Sequence, residues 1–333
     1  MKVVITGGCG FLGLAIARVL AGREDVDSIV LFDAVVPDAV PGGLNGKGAV
    51  VAGDISDRDQ VFALIDRDDI AVFHLASVVS AGGEKDFDLA LAVNVDGGRY
   101  VLDALRARQG TPRIVFASSL AVFGGAAMPQ TVNDMTRPTP QTTYGMTKAV
   151  GELMINDYTR KGFIDGRVAR LPTVIIRPGA PNAAVSGFAS GVFREPLQGL
   201  EHVLPVSEDT TMMVIGARNA VAGLIGLMDA DGWILSDDRI VALPNNVYSV
   251  TQMIEALKRV AAAKDITLGP ITPRPDPAVE AIVRSWPQAM EDTRASALGL
   301  PGDESLDASS RNLSKTGFRH PPILPKIHRA QPA

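Results

Sequence analysis

A chain of 333 residues with 46% apolar and 5% aromatic content has the composition of a folded globular protein, with room for one large or two modest domains, and not of a disordered one. Its 32 basic and 37 acidic residues leave a net charge of -5 and no Lys/Arg-rich run to neutralise a row of phosphates, which argues against nucleic acid as a partner. The single cysteine, Cys9, makes no intrachain disulfide and no zinc site, so no metal is expected, and this usage fits a reducing cytoplasm.

The apolar start, residues 1–22, is broken by Gly7, Gly8, Gly10 and Gly13 and carries Arg18, so it reads as strand, turn and helix and not as a leader. No uncharged apolar run has the length of a bilayer span, and no membrane partner is expected. Short β-branched runs follow at Ile29-Val30-Leu31-Phe32, Ala49-Val50-Val51, Ala71-Val72-Phe73, Ile114-Val115-Phe116 and Val174-Ile175-Ile176, with helical patterns between them. Runs apolar on both faces suit parallel strands covered by helices, which predicts an α/β fold with a doubly wound parallel sheet. After Pro178 the alternation weakens and Pro and Gly become frequent, which marks a second, smaller α/β lobe. Met212–Met228 and Ile240–Leu243 are expected to return to the sheet, and Thr251–Ala263 to form an amphipathic helix capped by Ser249 or Thr251. The expected division is a dinucleotide-binding domain over 1–177 and 212–247, a substrate-binding cap over 178–211 and 248–320, and an extended tail over 321–333.

The first strand runs into Gly7-Gly8-Cys9-Gly10-Phe11-Leu12-Gly13 and then a helix. One glycine permits the tight turn, one lets the backbone approach a pyrophosphate, and one lets helix pack on strand, with the helix N-terminus facing the anion. Such turns alone are weak evidence, but here Asp33 closes the second strand about twenty residues on, where a carboxylate accepts from ribose hydroxyls. Its charge repels a 2′-phosphate and no Arg follows at Ala34 or Val35, so NAD is favoured over NADP. Gly53-Asp54-Ile55 after the third strand is a candidate adenine contact, and His74-Leu75-Ala76-Ser77 follows the fourth. His74 is assigned no chemistry, since a packed core histidine is as good a reading.

Tyr144 and Lys148 are four apart at the start of a helical segment and share one face. A nearby ammonium favours phenolate over phenol, which would let the tyrosine act as a base near neutral pH. A lone pair at this spacing is more often a solvated helix face. Here Ser118-Ser119 ends the strand beginning at Ile114, at the carboxyl edge where open α/β sheets bind ligands. Ser119 is the candidate donor to a substrate oxygen, and Ser118 is expected to cap the loop.

The ordered set Gly7/Gly10/Gly13, Asp33, Gly53-Asp54, His74-Leu75-Ala76, Asn94, Ser118 to Gly124, Tyr144 with Lys148, and Arg177-Pro178-Gly179 resembles the extended short-chain dehydrogenases, the NAD-dependent epimerase/dehydratase family with its Rossmann fold. The resemblance spans nearly the whole chain. It implies Tyr144 as catalytic base, Lys148 holding the nicotinamide ribose and lowering the tyrosine pKa, and Ser119 orienting the substrate. The cofactor contacts it implies are Gly7, Gly10, Phe11, Leu12, Asp33, Asp54, Ile55, Leu75, Ala76, Ser77, Asn94, Tyr144, Lys148 and Pro178. For the substrate the expected residues are Ser80, Ser119, Tyr144, Arg177, Asn182, Arg194 and Arg274. Longer strings, among them Phe116 to Gly124, Ile176 to Asn182 and Arg194-Glu195-Pro196-Leu197, resemble the D-erythronate dehydrogenase group, whose members oxidise the 2-hydroxyl of a four-carbon sugar acid. Met212-Met213 departs from that group, which has aromatic and histidine side chains facing the cap.

Three reactions suit this scaffold. A dehydratase places an Asp-Glu pair beside the catalytic hydroxyl; here Leu120-Ala121 occupies those positions, and dehydration lacks its acid. An epimerase rotates a keto intermediate and clamps a nucleotide diphosphate, for which Arg274-Pro275-Asp276 is a faint match. The dehydrogenase reading uses Tyr144 as base and Arg177, Arg194 or Arg274 to pair with a small sugar-acid carboxylate, each arginine being equally readable as a salt bridge anchoring the cap. A binding-only NAD sensor would not need the tyrosine and lysine that this chain retains. Apolar residues Val101, Leu102, Leu105, Leu153 and Met154 on two helices are expected to pair across a two-fold axis into a homodimer, as the family does.

Overall fold

The computed structural model describes residues 1–176 and 185–307. In chain order the strands are β1 (Lys2–Thr6), β2 (Ser28–Asp33), β3 (Gly48–Ala52), β4 (Ile70–His74), β5 (Arg113–Ser119), β6 (Thr131–Val132), β7 (Asp165–Leu171), β8 (Thr173–Ile175), β9 (His202–Leu204), β10 (Thr211–Gly216), β11 (Ile240–Ala242), β12 (Asn246–Ser249), β13 (Ile271–Pro273) and β14 (Ala289–Met290). The helices are α1 (Phe11–Ala21), α2 (Arg58–Leu64), α3 (Ser80–Lys85), α4 (Phe87–Leu91), α5 (Gly97–Arg106), α6 (Thr143–Arg160), α7 (Gly187–Leu197), α8 (Ala217–Asp229), α9 (Val250–Ala262), α10 (Pro277–Arg284) and α11 (Thr293–Ala297). A π-helical turn, Ala92–Asp96, joins α4 to α5.

Seven strands form one parallel sheet in the order β11-β7-β5-β4-β1-β2-β3. The chain winds outward from β1 in one direction through β2 and β3 and in the other through β4, β5, β7 and β11, so the switch point lies at β1 and β4. The β-branched runs at its centre are buried on both faces, as in all five residues of β4. One face is covered by α1 and α8, whose Ile16, Leu20, Leu224 and Leu227 pack on Ile5, Phe73 and Val115. On the other, Val61, Leu105 and Ile155 from α2, α5 and α6 pack on Val72, Ile114 and Phe116. Each such side chain contributes roughly 1.5–3 kcal/mol by leaving water.

A second core gathers Phe188, Val192 and Phe193 of α7, Met253 and Leu257 of α9, and Met212 and Val214 of β10. Here the structure differs from expectation: Ile240–Ala242 pairs with β7, but Thr211–Gly216 joins a three-stranded sheet, β12-β10-β8, while the helix after it, α8, packs on β5 and β7. β10 leaves the large sheet because it pairs parallel to β8, which has already turned away beyond Pro172. Met212 and Met213 are both buried core residues, 3% and 5% exposed. The expected intersubunit face also changes. Val101, Leu102 and Leu105 are buried inside the subunit, because α5 packs on α2 and the sheet, whereas Leu153 is 69% exposed. The expected tail, 321–333, lies outside the described residues.

Candidate active site

Sheet register alone brings the first four loops together. Thr6 pairs with Phe32 and with His74, and Asp33 with Ala52, so the residues following β1, β2, β3 and β4 emerge side by side at one carboxyl edge. Backbone bonds continue past the strands: Gly8 N donates to Phe32 O, Gly53 N to Asp33 O and Leu75 N to Thr6 O, at 3.1, 3.0 and 3.1 Å.

Gly7 has φ +67°, and a Cβ there would meet Ala76 N at 2.9 Å. At Gly13 a Cβ would meet Gly8 Cα at 2.7 Å, so the helix lies directly on the turn. Gly10 is the N-cap of α1 and supplies no side-chain cap, which leaves the first amides of the helix open to an anion. Phe11 and Leu12 are the first two residues of that helix. The Asp33 carboxylate is held beside the turn: Cys9 N donates to Oδ2 at 3.1 Å and Val35 N to Oδ1 at 3.2 Å. Burial, with Asp33 adjacent, pushes the Cys9 thiol up to about 11, so it is an unreactive thiol and not a nucleophile. Asp54 accepts from Ser56 N at 2.8 Å and Ser56 Oγ at 2.7 Å, stiffening its loop, and Ile55 is buried behind it. These features fit a dinucleotide: an uncapped helix end, a cradle in which side chains would collide, and a fixed carboxylate at the ribose position.

Asn94 is buried, and its amide is spent within the protein. Oδ1 accepts from Val78 N at 2.8 Å and Ser77 Oγ at 3.1 Å; Nδ2 donates to Val78 O at 3.0 Å and Thr147 Oγ1 at 2.9 Å. The side chain therefore ties the Leu75-Ala76-Ser77 loop to α6. His74 is packed core: its ring stacks on Phe116, Thr6 Oγ1 lies 2.7 Å from Nδ1, and burial holds it well below the usual histidine range, at about 3.

The N-terminus of α6 is set by Thr142, whose side chain accepts from Gly145 N at 3.0 Å. Two glycines let this helix press onto β5. A Cβ at Gly145 would meet Ala121 O at 2.0 Å, and one at Gly151 would meet the Phe116 ring at 2.5 Å. Lys148 is thereby buried, with Nζ 4.8 Å from the Phe116 ring centroid and 5.6 Å from that of Tyr144. Burial pulls its ammonium down to about 7, with Glu152 opposing. Ser119 ends β5, and its Oγ accepts from Ala121 N at 3.1 Å, in the loop that Gly145 touches; its own O–H is left to donate. The turn-capping role expected of Ser118 thus falls to Ser119. Ser119 caps the turn, while Ser118 is buried and donates to Glu152 Oε1 at 2.6 Å. Sequence reasoning missed Gly145, Gly151, Phe116, Glu152 and Arg170; the glycines six apart on a helix were the available signal.

The expected substrate residues scatter. Ser80 Oγ accepts from Val185 N at 3.1 Å, anchoring the chain that enters α7. Arg194 is buried, and its guanidinium bonds Glu195, through Nε at 3.0 Å and through Nη2, so for this residue a salt bridge within the cap describes the geometry. Arg274 follows β13 with its side chain exposed and its N donating to Leu204 O at 2.8 Å. Among the described residues no hydrogen bond joins either arginine to Ser119, Tyr144 or Lys148. Arg177, Pro178 and Asn182 lie outside the described residues.

Residues 3–230 match the model of the NAD-dependent epimerase/dehydratase family. Over 316 residues the chain is 44% identical to D-erythronate dehydrogenase of Cupriavidus necator, covering 92% of this chain and 96% of that protein. Over 310 residues it is 40% identical to D-erythronate dehydrogenase of Haemophilus influenzae, again covering 92% and 96%. Its fold is similar to a solved nucleoside-diphosphate-sugar epimerase from Agrobacterium tumefaciens, with a TM-score of 0.83, 37% identity and coverage of 93% of this chain and 92% of that one. Among the described residues no helix is long and apolar enough to cross a membrane. The chain belongs to the NAD-dependent epimerase/dehydratase family, and its cofactor is NAD.

Proposed function

We propose that this protein is an NAD-dependent dehydrogenase that oxidises the 2-hydroxyl of a small sugar acid, D-erythronate or a close analogue, to the 2-oxo acid. The observation that carries this reading is the packing of Lys148 against both Tyr144 and Phe116 beside the strand end of Ser119, in a chain 44% identical to a D-erythronate dehydrogenase. NAD, when bound, supplies the hydride acceptor. The open amides of α1 and the Asp33 carboxylate would hold its pyrophosphate and ribose. Tyr144 takes the proton from the substrate hydroxyl, Lys148 in its ammonium form favours the phenolate that does so, and Ser119 donates to the same oxygen. Leu120 and Ala121 bring no acid beside Ser119, which disfavours loss of water. The substrate carboxylate pairs with an arginine, and exposed Arg274 suits that role better than Arg194, which is engaged with Glu195.

The subunit pairs with a second copy through α4 to α6, where exposed Phe87, Leu89 and Leu153 offer an apolar face, and it works in the cytoplasm, as its lone thiol suggests. A panel of hydroxy acids and UDP-sugars, assayed for NADH, tests the reading. NADH from D-erythronate is the expected result. Interconversion of a UDP-sugar without net NADH would instead select the epimerase, the activity in the name of the Agrobacterium protein.

A further inference from the structure

Behind the face of α6 that carries Tyr144 and Lys148 lies a second polar layer. Glu152 follows Lys148 by one helical turn and is 1% exposed. Arg170 on β7, equally buried, grips it with two bonds, Nε to Oε1 at 2.9 Å and Nη2 to Oε2 at 2.8 Å, and Ser118 on β5 adds a third. The grip is itself fixed: Arg170 Nη1 donates to Asp134 O at 3.3 Å, and the guanidinium lies 4.8 Å from the Phe123 ring centroid. One carboxylate therefore joins the helix of Tyr144 and Lys148, the strand that ends in Ser119, and the next strand of the sheet.

Stability is a poor reason for such a pair, since apolar residues of the same shape replace buried ion pairs at little cost or with a gain. Its position gives a better one. Among the described residues the titratable groups around Lys148 are Tyr144 and Glu152 on α6 and neutral His74 on β4; behind Glu152 stand Arg170 on β7 and Asp134, whose Oδ1 accepts from Ala242 N at 2.7 Å. Glu152 is the anion that acts on Lys148.

We propose that Glu152, locked by Arg170 and Ser118, is a positioning residue for the active pair: it fixes α6 against the Ser119 strand end and presents the negative charge of its Arg170-paired carboxylate one turn behind Lys148. The inference rests on the reading of Tyr144 and Lys148 as the working pair. Without that charge, burial acts on Lys148 unopposed, and the ammonium is given up at a lower pH. An unpaired Arg170 would push it further the same way.

The test titrates Lys148 directly, by NMR of isotope-labelled lysine, with its signal identified by its loss in Lys148→Met. In Glu152→Gln the midpoint is expected to fall by about one pH unit or more. In the double variant Glu152→Gln/Arg170→Met, which removes both charges and keeps the fold if the single variant does not, it falls by less. The alkaline limb of kcat for NADH formation moves down in the same order, with KM for NAD changed less than about threefold. Equal midpoints in all three proteins overturn the inference whatever the substrate. A shifted midpoint with no NADH from any hydroxy acid leaves it standing and counts against the substrate reading alone.

Discussion

The carboxyl edge of the large sheet and the cap distribute their polar side chains in opposite ways. At the sheet edge, Asp33, Asn94, Ser119 and Lys148 come from segments far apart in sequence, yet parallel register and one tightly packed helix gather them. In the cap, Arg194 turns inward to its own neighbour Glu195 and Arg274 turns out to solvent. Strand register is a long-range ruler, and in the cap it is short: β9 and β13 pair over three residues, and Arg194 lies on a helix. Groups at strand ends converge whatever their identity, while a cap side chain goes where local packing leaves room. Chemistry common to a family is therefore expected at the first region and substrate choice at the second.

The contrast breaks most readily at Tyr144. Tyr144→Phe is expected to lower kcat by about 10²–10⁴ while NAD binding, followed by fluorescence, stays within about twofold; retention of a tenth of the turnover would remove the base from the sheet edge. The two arginines sharpen the second half. Arg274→Met is expected to raise KM for the acid about tenfold with Tm unchanged, whereas Arg194→Met strands Glu195 and costs about 1–3 kcal/mol of stability in denaturant titration. If Arg194→Met instead raises KM and leaves stability alone, the inward arginine is the substrate's partner.

The smallest effect concerns His74, beneath the sheet edge. Its folded pKa, about 3, lies below the unfolded value of 6.5, so between these limits the unfolded chain binds the extra proton and stability falls as pH falls. From pH 6.5 to 5, above the range where most carboxylates titrate, the loss should reach about 1–2 kcal/mol and shrink in His74→Asn. A slope identical in the two proteins would show that another group carries the acid sensitivity.

What was legible in the sequence were demands on the backbone. Gly7 at positive φ, Gly13 against Gly8, and Asp33 at a strand end are readable because one residue type satisfies each geometry and the spacing is local. Tyr144 and Lys148 were readable for the same reason, as neighbours on one helical turn. The layer behind them was not. Ser118 and Arg170 reach Glu152 across 34 and 18 residues, through a pairing that exists only once β5, α6 and β7 are assembled. The misplacement of Val101, Leu102 and Leu105 has a related cause: an amphipathic stripe says that a face is covered, not by what. Likewise β10 carries an ordinary apolar run, and its departure from the large sheet follows from its partner β8.

The π-helical turn at Ala92–Asp96 bears on how chain length can vary. Asn94 sits at its middle, and the wider turn sets the angle at which its amide meets both Val78 and Thr147. The turn holds one residue more than an α-helical turn, so deleting one there would close it into plain α-helix and swing the amide away from its partners. The loop around Gly42 and Gly46, where an added Cβ meets nothing within 4 Å, has no such count to keep. Length differences between this chain and its relatives are thus expected at that loop and excluded from the turn, which acts as a counting constraint on the inheritance of the fold.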